Sequence, residues 1–131
     1  MPNDETIRVL ICNKYTLFRE AIKALLPRGT HIEIVGEAAT AKHALDLLQS
    51  LRPHVVLMDV TNLDSSGSEV TRRIKAIDPN VKILILSFSD DETLISACLN
   101  AGATGHIRKH DRSVQLKTAI HSACKRGTRA A

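Results

Sequence analysis

Short runs of aliphatic residues alternate five times along the chain with longer segments in which apolar residues recur at every third or fourth position. Strands produce the first pattern and amphipathic helices the second. The predicted strands are Ile7 to Cys12, His31 to Glu37, His54 to Met58, Val81 to Ser87 and Thr104 to Lys109. Five strand–helix units in succession predict a parallel sheet with helices on both faces. The sequence therefore predicts an α/β, doubly wound fold with five strands and five helices.

The composition of each strand predicts its place in the sheet. The first, third and fourth strands are almost unbroken hydrophobic runs, as expected of strands that are covered on both faces. The second strand contains His31 and Glu33, and the fifth contains His106 and Arg108, which indicates edge positions. This pattern favours the strand order 2-1-3-4-5, in which a crevice forms outside the carboxyl ends of the first and third strands.

The length and composition of the chain predict one globular domain. It has 131 residues, of which 44% are hydrophobic and 24% are charged. We expect this domain at residues 7–125, with residues 1–6 as an N-terminal extension and residues 126–131 as a tail or the start of a linker. No apolar stretch is long enough to span a bilayer, and Met1–Thr6 lack the features of a leader. This predicts a cytoplasmic protein without a membrane partner.

Cysteine spacing and charge exclude several classes of function. Cys12, Cys98 and Cys124 are widely spaced, so we interpret them as small buried residues rather than as a zinc site or a disulfide framework. The net charge is only +4, and aromatic residues make up 2% of the chain, too few to stack on nucleic-acid bases. Direct DNA binding by this chain is therefore not expected.

Polar side chains collect where the predicted strands end. Asn13 and Lys14 follow the first strand, Asp59 ends the third, Ser87 ends the fourth, and Lys109 stands at the end of the fifth. Because parallel strands end at the same edge of a sheet, these residues are expected to lie together. A carboxylate, a hydroxyl and two ammonium groups at the crevice make this edge the candidate site.

Each of these residues also has an ordinary structural interpretation. Asp59 could pair with a lysine or cap the following loop, and Ser87 could satisfy a backbone amide at the strand end. Lys109 could be a solvated charge, and Asn13 could form an Asx turn. The loop 64–68, with hydroxyls and amides before a helix, could hold an anion or be a capped turn.

Several segments around this edge form a characteristic set, which consists of Ile7–Ile11, Leu17–Glu20, Arg52–Asp59, Gly67 eight positions after Asp59, and Ala101–Gly105. With these segments the chain resembles the receiver domains of bacterial two-component response regulators, the CheY-like superfamily. It is most similar to the receivers of LuxR/NarL-type transcriptional regulators. The resemblance extends from Ile7 to about Lys125.

The resemblance implies roles for the residues at the edge. Asp59 would accept a phosphoryl group from a histidine kinase or another signalling protein. Ser87 would bind that group and Lys109 would pair with its oxygens, while His106 stands at the position of the aromatic switch residue. The face formed by the fourth helix, fifth strand and fifth helix would be the surface for a homodimer. DNA would be bound only through an output domain that this chain does not include.

The resemblance breaks at two positions that matter for a metal. It implies Mg²⁺ as a cofactor, held by two acidic residues after the first strand, and these positions are Asn13 and Lys14 here. A lysine removes an oxygen ligand that Mg²⁺ prefers and adds like charge. An ammonium group about 4 Å from Asp59 would instead attract it by roughly 4 kcal/mol before desolvation. We therefore expect no bound cofactor and a built-in salt bridge between Lys14 and Asp59.

The function expected from these residues is that of an atypical receiver. Such a domain is not an enzyme and signals through protein contacts, or through a trigger other than Mg²⁺-dependent phosphorylation. One alternative is a conventional receiver that accepts phosphate on Asp59. The other is a flavodoxin-like domain that binds a small molecule, although Cys12–Thr16 is not the glycine- and hydroxyl-rich loop that this role needs.

Overall fold

The computed structural model of the chain describes residues 6–26, 31–61, 63–87, 92–108 and 113–130, and for 108, 113–115 and 125–130 it describes the backbone alone. The strands are β1 (Ile7–Cys12), β2 (Ile32–Ala38), β3 (Val55–Asp59), β4 (Lys82–Ser87) and β5 (Gly105–Arg108). The helices are α1 (Thr16–Ala24), α2 (Ala41–Leu51), α3 (Gly67–Ile77), α4 (Glu92–Asn100) and α5 (Ser113–Ala130). The strand ends differ from the predicted ones by no more than one residue.

The five strands form one parallel sheet in the order β2-β1-β3-β4-β5, which confirms the predicted order and the two edge strands. β1 lies between β2 and β3, and its Val9 aligns with Val55 of β3. β3 continues one residue further than predicted, because Asp59 aligns with Leu86 of β4 and the Val60 N–H donates to the Leu86 carbonyl at 3.1 Å. The acidic residue at the centre of the predicted site is therefore part of the sheet.

Alternate residues of the central strands feed two separate cores, one on each face of the sheet. Leu10 and Met58 pack on the face covered by α2, α3 and α4, together with Ile74 of α3. Ile11 and Leu57 pack on the other face, where α1 and α5 supply Ile22, Leu116 and Ile120. Each such side chain contributes about 1.5–3 kcal/mol when it is fully buried. Packing on both faces of the sheet holds the carboxyl ends of β1, β3 and β4 in a fixed register.

Side chains cap two of the helices that leave this edge. The Thr40 hydroxyl accepts a hydrogen bond from the His43 N–H at 3.1 Å at the start of α2. Ser66 accepts one from the Glu69 N–H at 3.4 Å at the start of α3, so the loop 64–68 contains the capped turn that the sequence allowed. Asp64, in the same loop, accepts a hydrogen bond from the Ala41 N–H at 3.0 Å and ties the loop to α2.

Two further sequence expectations concern the described residues. No helix among them is long and apolar enough to cross a membrane. Cys12 and Cys98 are buried, Cys124 is partly buried, and all three are free thiols, as the cysteine spacing predicted.

Candidate functional site

Three polar side chains are fully buried at the carboxyl edge of the sheet, where Asn13 follows β1, Asp59 ends β3 and Ser87 ends β4. Because β3 lies between β1 and β4, the carboxylate of Asp59 occupies the middle of this group. The structure thus brings together three of the residues that the sequence placed at this edge.

Every polar group of Asn13 has a hydrogen-bond partner. Its N–H donates to the Ala38 carbonyl at 2.9 Å, and its carbonyl accepts from Arg19 Nη1 at 2.6 Å. Its Oδ1 accepts from the Tyr15 N–H at 2.7 Å, which forms the Asx turn that the sequence allowed. Because a backbone N–H can only donate, this bond orients the amide, and Nδ2 donates to Oδ2 of Asp59. The side chain of Asn13 is therefore held in one orientation.

The Asp59 carboxylate is bound through both of its oxygens. Oδ2 accepts from the Asn13 amide, and Oδ1 accepts from the Thr61 N–H at 3.0 Å. The Thr61 hydroxyl also lies 3.3 Å from the Ser87 hydroxyl, which links Asp59 to the end of β4. Burying a charge without donors is costly, so both bonds stabilise a carboxylate at this depth.

Lys14 does not form the expected ion pair with Asp59. Its side chain is exposed, and its Nζ lies 5.8 Å from the ring centroid of Tyr15, within the range of a cation–π contact. Asn13 keeps its sheet hydrogen bond to the Ala38 carbonyl and its side chain is buried, whereas Lys14 lies at the bend where the chain leaves the sheet. Of these two adjacent side chains, the neutral amide of Asn13 faces Asp59 and the ammonium group of Lys14 does not.

The two remaining predicted site residues lie on and after β5. His106 is exposed on this edge strand, where it aligns with Ile85 of β4. Lys109 lies outside the described residues.

Sequence reasoning missed an ion-pair group beside the site. Arg19 Nε lies 3.0 Å from Glu37 Oε1, and Lys23 Nζ lies 2.8 Å from Glu37 Oε2 and 2.7 Å from Glu20 Oε2. The hydrogen bond from Lys23 lowers the pKa of Glu37, Arg19 adds to this effect, and partial burial opposes it. The available signal was the position of Glu37 at the end of the strand next to β1, within reach of a basic residue in the first helix.

Cys12 is buried directly before Asn13, with its Sγ 3.9 Å from the Thr40 carbonyl. Burial raises the pKa of its thiol to about 12, and the negative charges of Asp64 and Asp59 add to this effect. Since the thiolate is the reactive form, Cys12 is chemically inert at neutral pH.

Comparison with known proteins gives consistent matches over this chain. The family described as response regulator receiver domain matches residues 9–121. The transcriptional regulatory protein DegU of Brevibacillus brevis is 31% identical over 95% of this chain and 53% of its own length. The chain spans about half the length of the curated relatives that it matches.

Two solved structures show the same architecture. The signal receiver domain of the response regulator NarL from Mycobacterium tuberculosis is 26% identical, with a TM-score of 0.85, and the match covers 92% of this chain and 98% of that one. A LuxR-family two-component response regulator from Aurantimonas sp. SI85-9A1 is 30% identical, with a TM-score of 0.83 over 90% of this chain and 84% of that one.

Proposed function

The chain belongs to the response regulator receiver domain family, and from this premise we propose that it is a receiver whose acceptor residue is held by an amide instead of a metal ion. It is the receiver domain of a two-component response regulator of the LuxR/NarL type. Because the chain belongs to this family, the alternative of a flavodoxin-like domain that binds a small molecule no longer applies. Receiver domains of transcriptional regulators are in general not enzymes, and we propose no enzymatic activity for this one.

The donor atoms around Asp59 do not fit Mg²⁺, which prefers oxygen ligands in an octahedral arrangement. The Asn13 amide presents N–H groups to the carboxylate, while its oxygen already accepts from the Tyr15 N–H. The next position is a lysine. A divalent cation would have to displace the amide from Asp59, and the exposed side chain of Lys14 offers it no oxygen ligand. This arrangement of donors is the single observation that supports the proposal.

The amide supplies part of what a metal would supply. A hydrogen bond to a charged group contributes about 1.5–3 kcal/mol, enough to hold the buried Asp59 carboxylate in place. It does not supply the positive charge that stabilises phosphoryl transfer, commonly worth several kcal/mol. Each ~1.4 kcal/mol changes a rate tenfold, so self-phosphorylation would slow by factors of thousands. The domain is therefore proposed to respond to protein contacts or to another trigger.

The partners follow from the same premise. Two-component receivers partner with histidine kinases, and we propose a histidine kinase or another signalling protein as the cytoplasmic partner of this one. DNA would be bound by an output domain outside this chain, with residues 7–125 as the receiver, 1–6 as an N-terminal extension and 126–131 as a C-terminal tail or the start of a linker. Residues 126–130 of that segment continue α5. The α4–β5–α5 face is the proposed surface for a homodimer.

A second candidate function has an observation in its favour. Asp59 and Ser87 are buried at the same edge and are connected through Thr61, so an acceptor carboxylate and a hydroxyl next to it are both retained. A conventional receiver that accepts phosphate slowly on Asp59 would keep this arrangement.

Intact-mass measurement after incubation with acetyl phosphate or phosphoramidate and Mg²⁺ separates the two candidates. We expect no phosphoryl adduct on the natural chain. An adduct that forms readily and vanishes in Asp59→Ala would establish the conventional function instead.

The metal argument has its own test in the same assay. The double variant Asn13→Asp with Lys14→Asp restores both acids and should raise labelling by at least an order of magnitude. Lys42→Asp, at an exposed position of α2, is the matched charge-reversal control and should change nothing. If the double variant labels no faster than the natural chain, the amide does not stand in for a metal.

A further inference from the structure

The Arg19 guanidinium contacts three different parts of the chain around Asn13. Nη1 donates to the Asn13 carbonyl at 2.6 Å, Nη2 donates to the Thr16 hydroxyl at 3.0 Å, and Nε donates to Glu37 at 3.0 Å. Only 14% of the Arg19 side chain is exposed. One planar group thus connects the segment after β1, the first residue of α1 and the end of β2.

The start of α1 lacks the side-chain cap that α2 and α3 have. Tyr15, the N-cap of α1, makes no side-chain capping bond, and the first turn of the helix contains no acidic residue. Thr40 and Ser66 cap α2 and α3 with their own hydroxyls, as most helices require. At α1 the bracing comes instead from Arg19, one turn into the helix.

β2 fixes the backbone of Asn13 directly at its N–H and, through Arg19, at its carbonyl. The Ala38 carbonyl accepts from the Asn13 N–H at 2.9 Å, and the neighbouring Glu37 holds the guanidinium that binds the Asn13 carbonyl. Lys23 occupies the second oxygen of Glu37, which leaves Arg19 the first. The orientation of Asn13 is thereby coupled to an edge strand and to α1.

From this geometry we infer that Arg19, anchored by Glu37, is a positioning residue that keeps the Asn13 amide on Asp59. The inference rests on the proposed function, because it explains how the amide that replaces a metal is held. It adds a site of regulation, since a partner that draws Arg19 or Glu37 away would free the Asn13 amide to leave Asp59 without touching the carboxylate.

The test is solvent exchange of the Asn13 side-chain NH₂ protons, measured by NMR on the ¹⁵N-labelled chain. Arg19→Gln should speed this exchange at least fivefold, and Arg19→Lys, which keeps the charge but not the planar group, should fall between Arg19→Gln and the natural chain. Arg72→Gln is the matched control, since Arg72 forms an exposed ion pair with Glu69 on α3 at 2.8 Å and should leave the exchange unchanged. The backbone amide of Ile85, in the centre of the sheet, reports whether each variant is folded.

Two further variants distinguish a failure of the positioning role from a failure of the proposed function. Glu37→Gln leaves Arg19 in place and weakens its anchor by replacing the charged acceptor with a neutral amide oxygen. It should also speed the exchange, so it serves if Arg19→Gln does not fold. Asp59→Ala must speed the exchange if the amide donates to Asp59, and an unchanged rate there would overturn the proposed function itself. If Asp59→Ala speeds the exchange while both Arg19→Gln and Glu37→Gln leave it unchanged, the positioning role alone is wrong.

Discussion

At each end of the paired strands β1 and β3, a hydrogen bond that involves a side chain joins two residues 46 positions apart. At the amino end, the Arg8 N–H donates to Nδ1 of His54 at 3.0 Å. At the carboxyl end, the Asn13 amide donates to Asp59. The spacing is the same because both bonds follow the parallel register that aligns Val9 with Val55 and Cys12 with Met58.

The two ends differ in their access to water. His54 is exposed, so water can replace the bond that it forms with Arg8, whereas Asn13 and Asp59 are fully buried. A typical hydrogen bond contributes about 0.5–1.5 kcal/mol net, but a buried group that loses its partner costs about 1–3 kcal/mol, and more if it is charged. The same spacing along the chain therefore goes with unequal energetics, and loss of the bond should destabilise the fold more at the buried end than at the exposed end.

The largest expected difference between the ends comes from Asn13→Asp. Two buried carboxylates would then face each other, and an uncompensated buried charge costs about 3–5 kcal/mol. Urea unfolding in the presence of a chelator should show a loss of this size, and Mg²⁺ should restore part of it because the variant regains an oxygen ligand. If Asn13→Asp without Mg²⁺ is as stable as the natural chain, the buried end tolerates an added charge as well as an exposed position would.

Asn13→Ala should have the next largest effect. It removes one donor from Asp59 and the acceptor of the Tyr15 N–H, so we expect the free energy of unfolding to fall by about 1–3 kcal/mol. Urea unfolding again measures it. If Asn13→Ala lowers the free energy of unfolding no more than substitution of an exposed residue does, the two ends do not differ in energy.

Reaction of Cys12 with iodoacetamide follows the opening of the buried end directly. Burial raises the pKa of the Cys12 thiol to about 12 and the side chain is fully buried, so the folded chain should react very slowly at pH 8. If Asn13→Ala lowers the cost of local opening by about 1.4 kcal/mol, labelling of Cys12 should speed up about tenfold. Peptide mass mapping distinguishes Cys12 from Cys98 and Cys124. An unchanged rate of Cys12 labelling in Asn13→Ala would mean that Asn13 does not stabilise the buried end against local opening.

His54→Ala is the smallest expected effect and the control for the other three. Because the bond to Arg8 lies at the surface, the free energy of unfolding should change by no more than about 0.5 kcal/mol, and Cys12 labelling should stay at its natural rate. A loss above about 1 kcal/mol would place the exposed end on a par with the buried one.

The sequence was sufficient to predict the fold and the residues that meet at the carboxyl edge, because both follow from periodicity and from parallel topology. Asp59, Asn13 and Ser87 come together for that reason alone. It was not sufficient to predict which of two adjacent side chains turns inwards. That choice depends on whether the sheet bonding continues through residue 13, and the Asn13 bond to Ala38 decides it against Lys14.

Arg19 was missed for a related reason. Leu17–Glu20 entered the sequence interpretation only as part of a resemblance, and a basic residue on an amphipathic helix ordinarily faces water. Its three contacts come from residues 13, 16 and 37, and only the packing of α1 beside β2 brings the last of these within reach. Local patterns do not predict such contacts.

Tyr15 is the sole tyrosine of a chain that has no tryptophan, so nearly all of its ultraviolet emission arises from one ring. That ring belongs to the residue whose N–H is bonded to Asn13 and lies beneath the ammonium group of Lys14. A movement of Asn13 or Lys14 beside this ring should change the quenching of its emission. The protein thus carries an optical reporter of the segment after β1 that can be followed in real time without a dye.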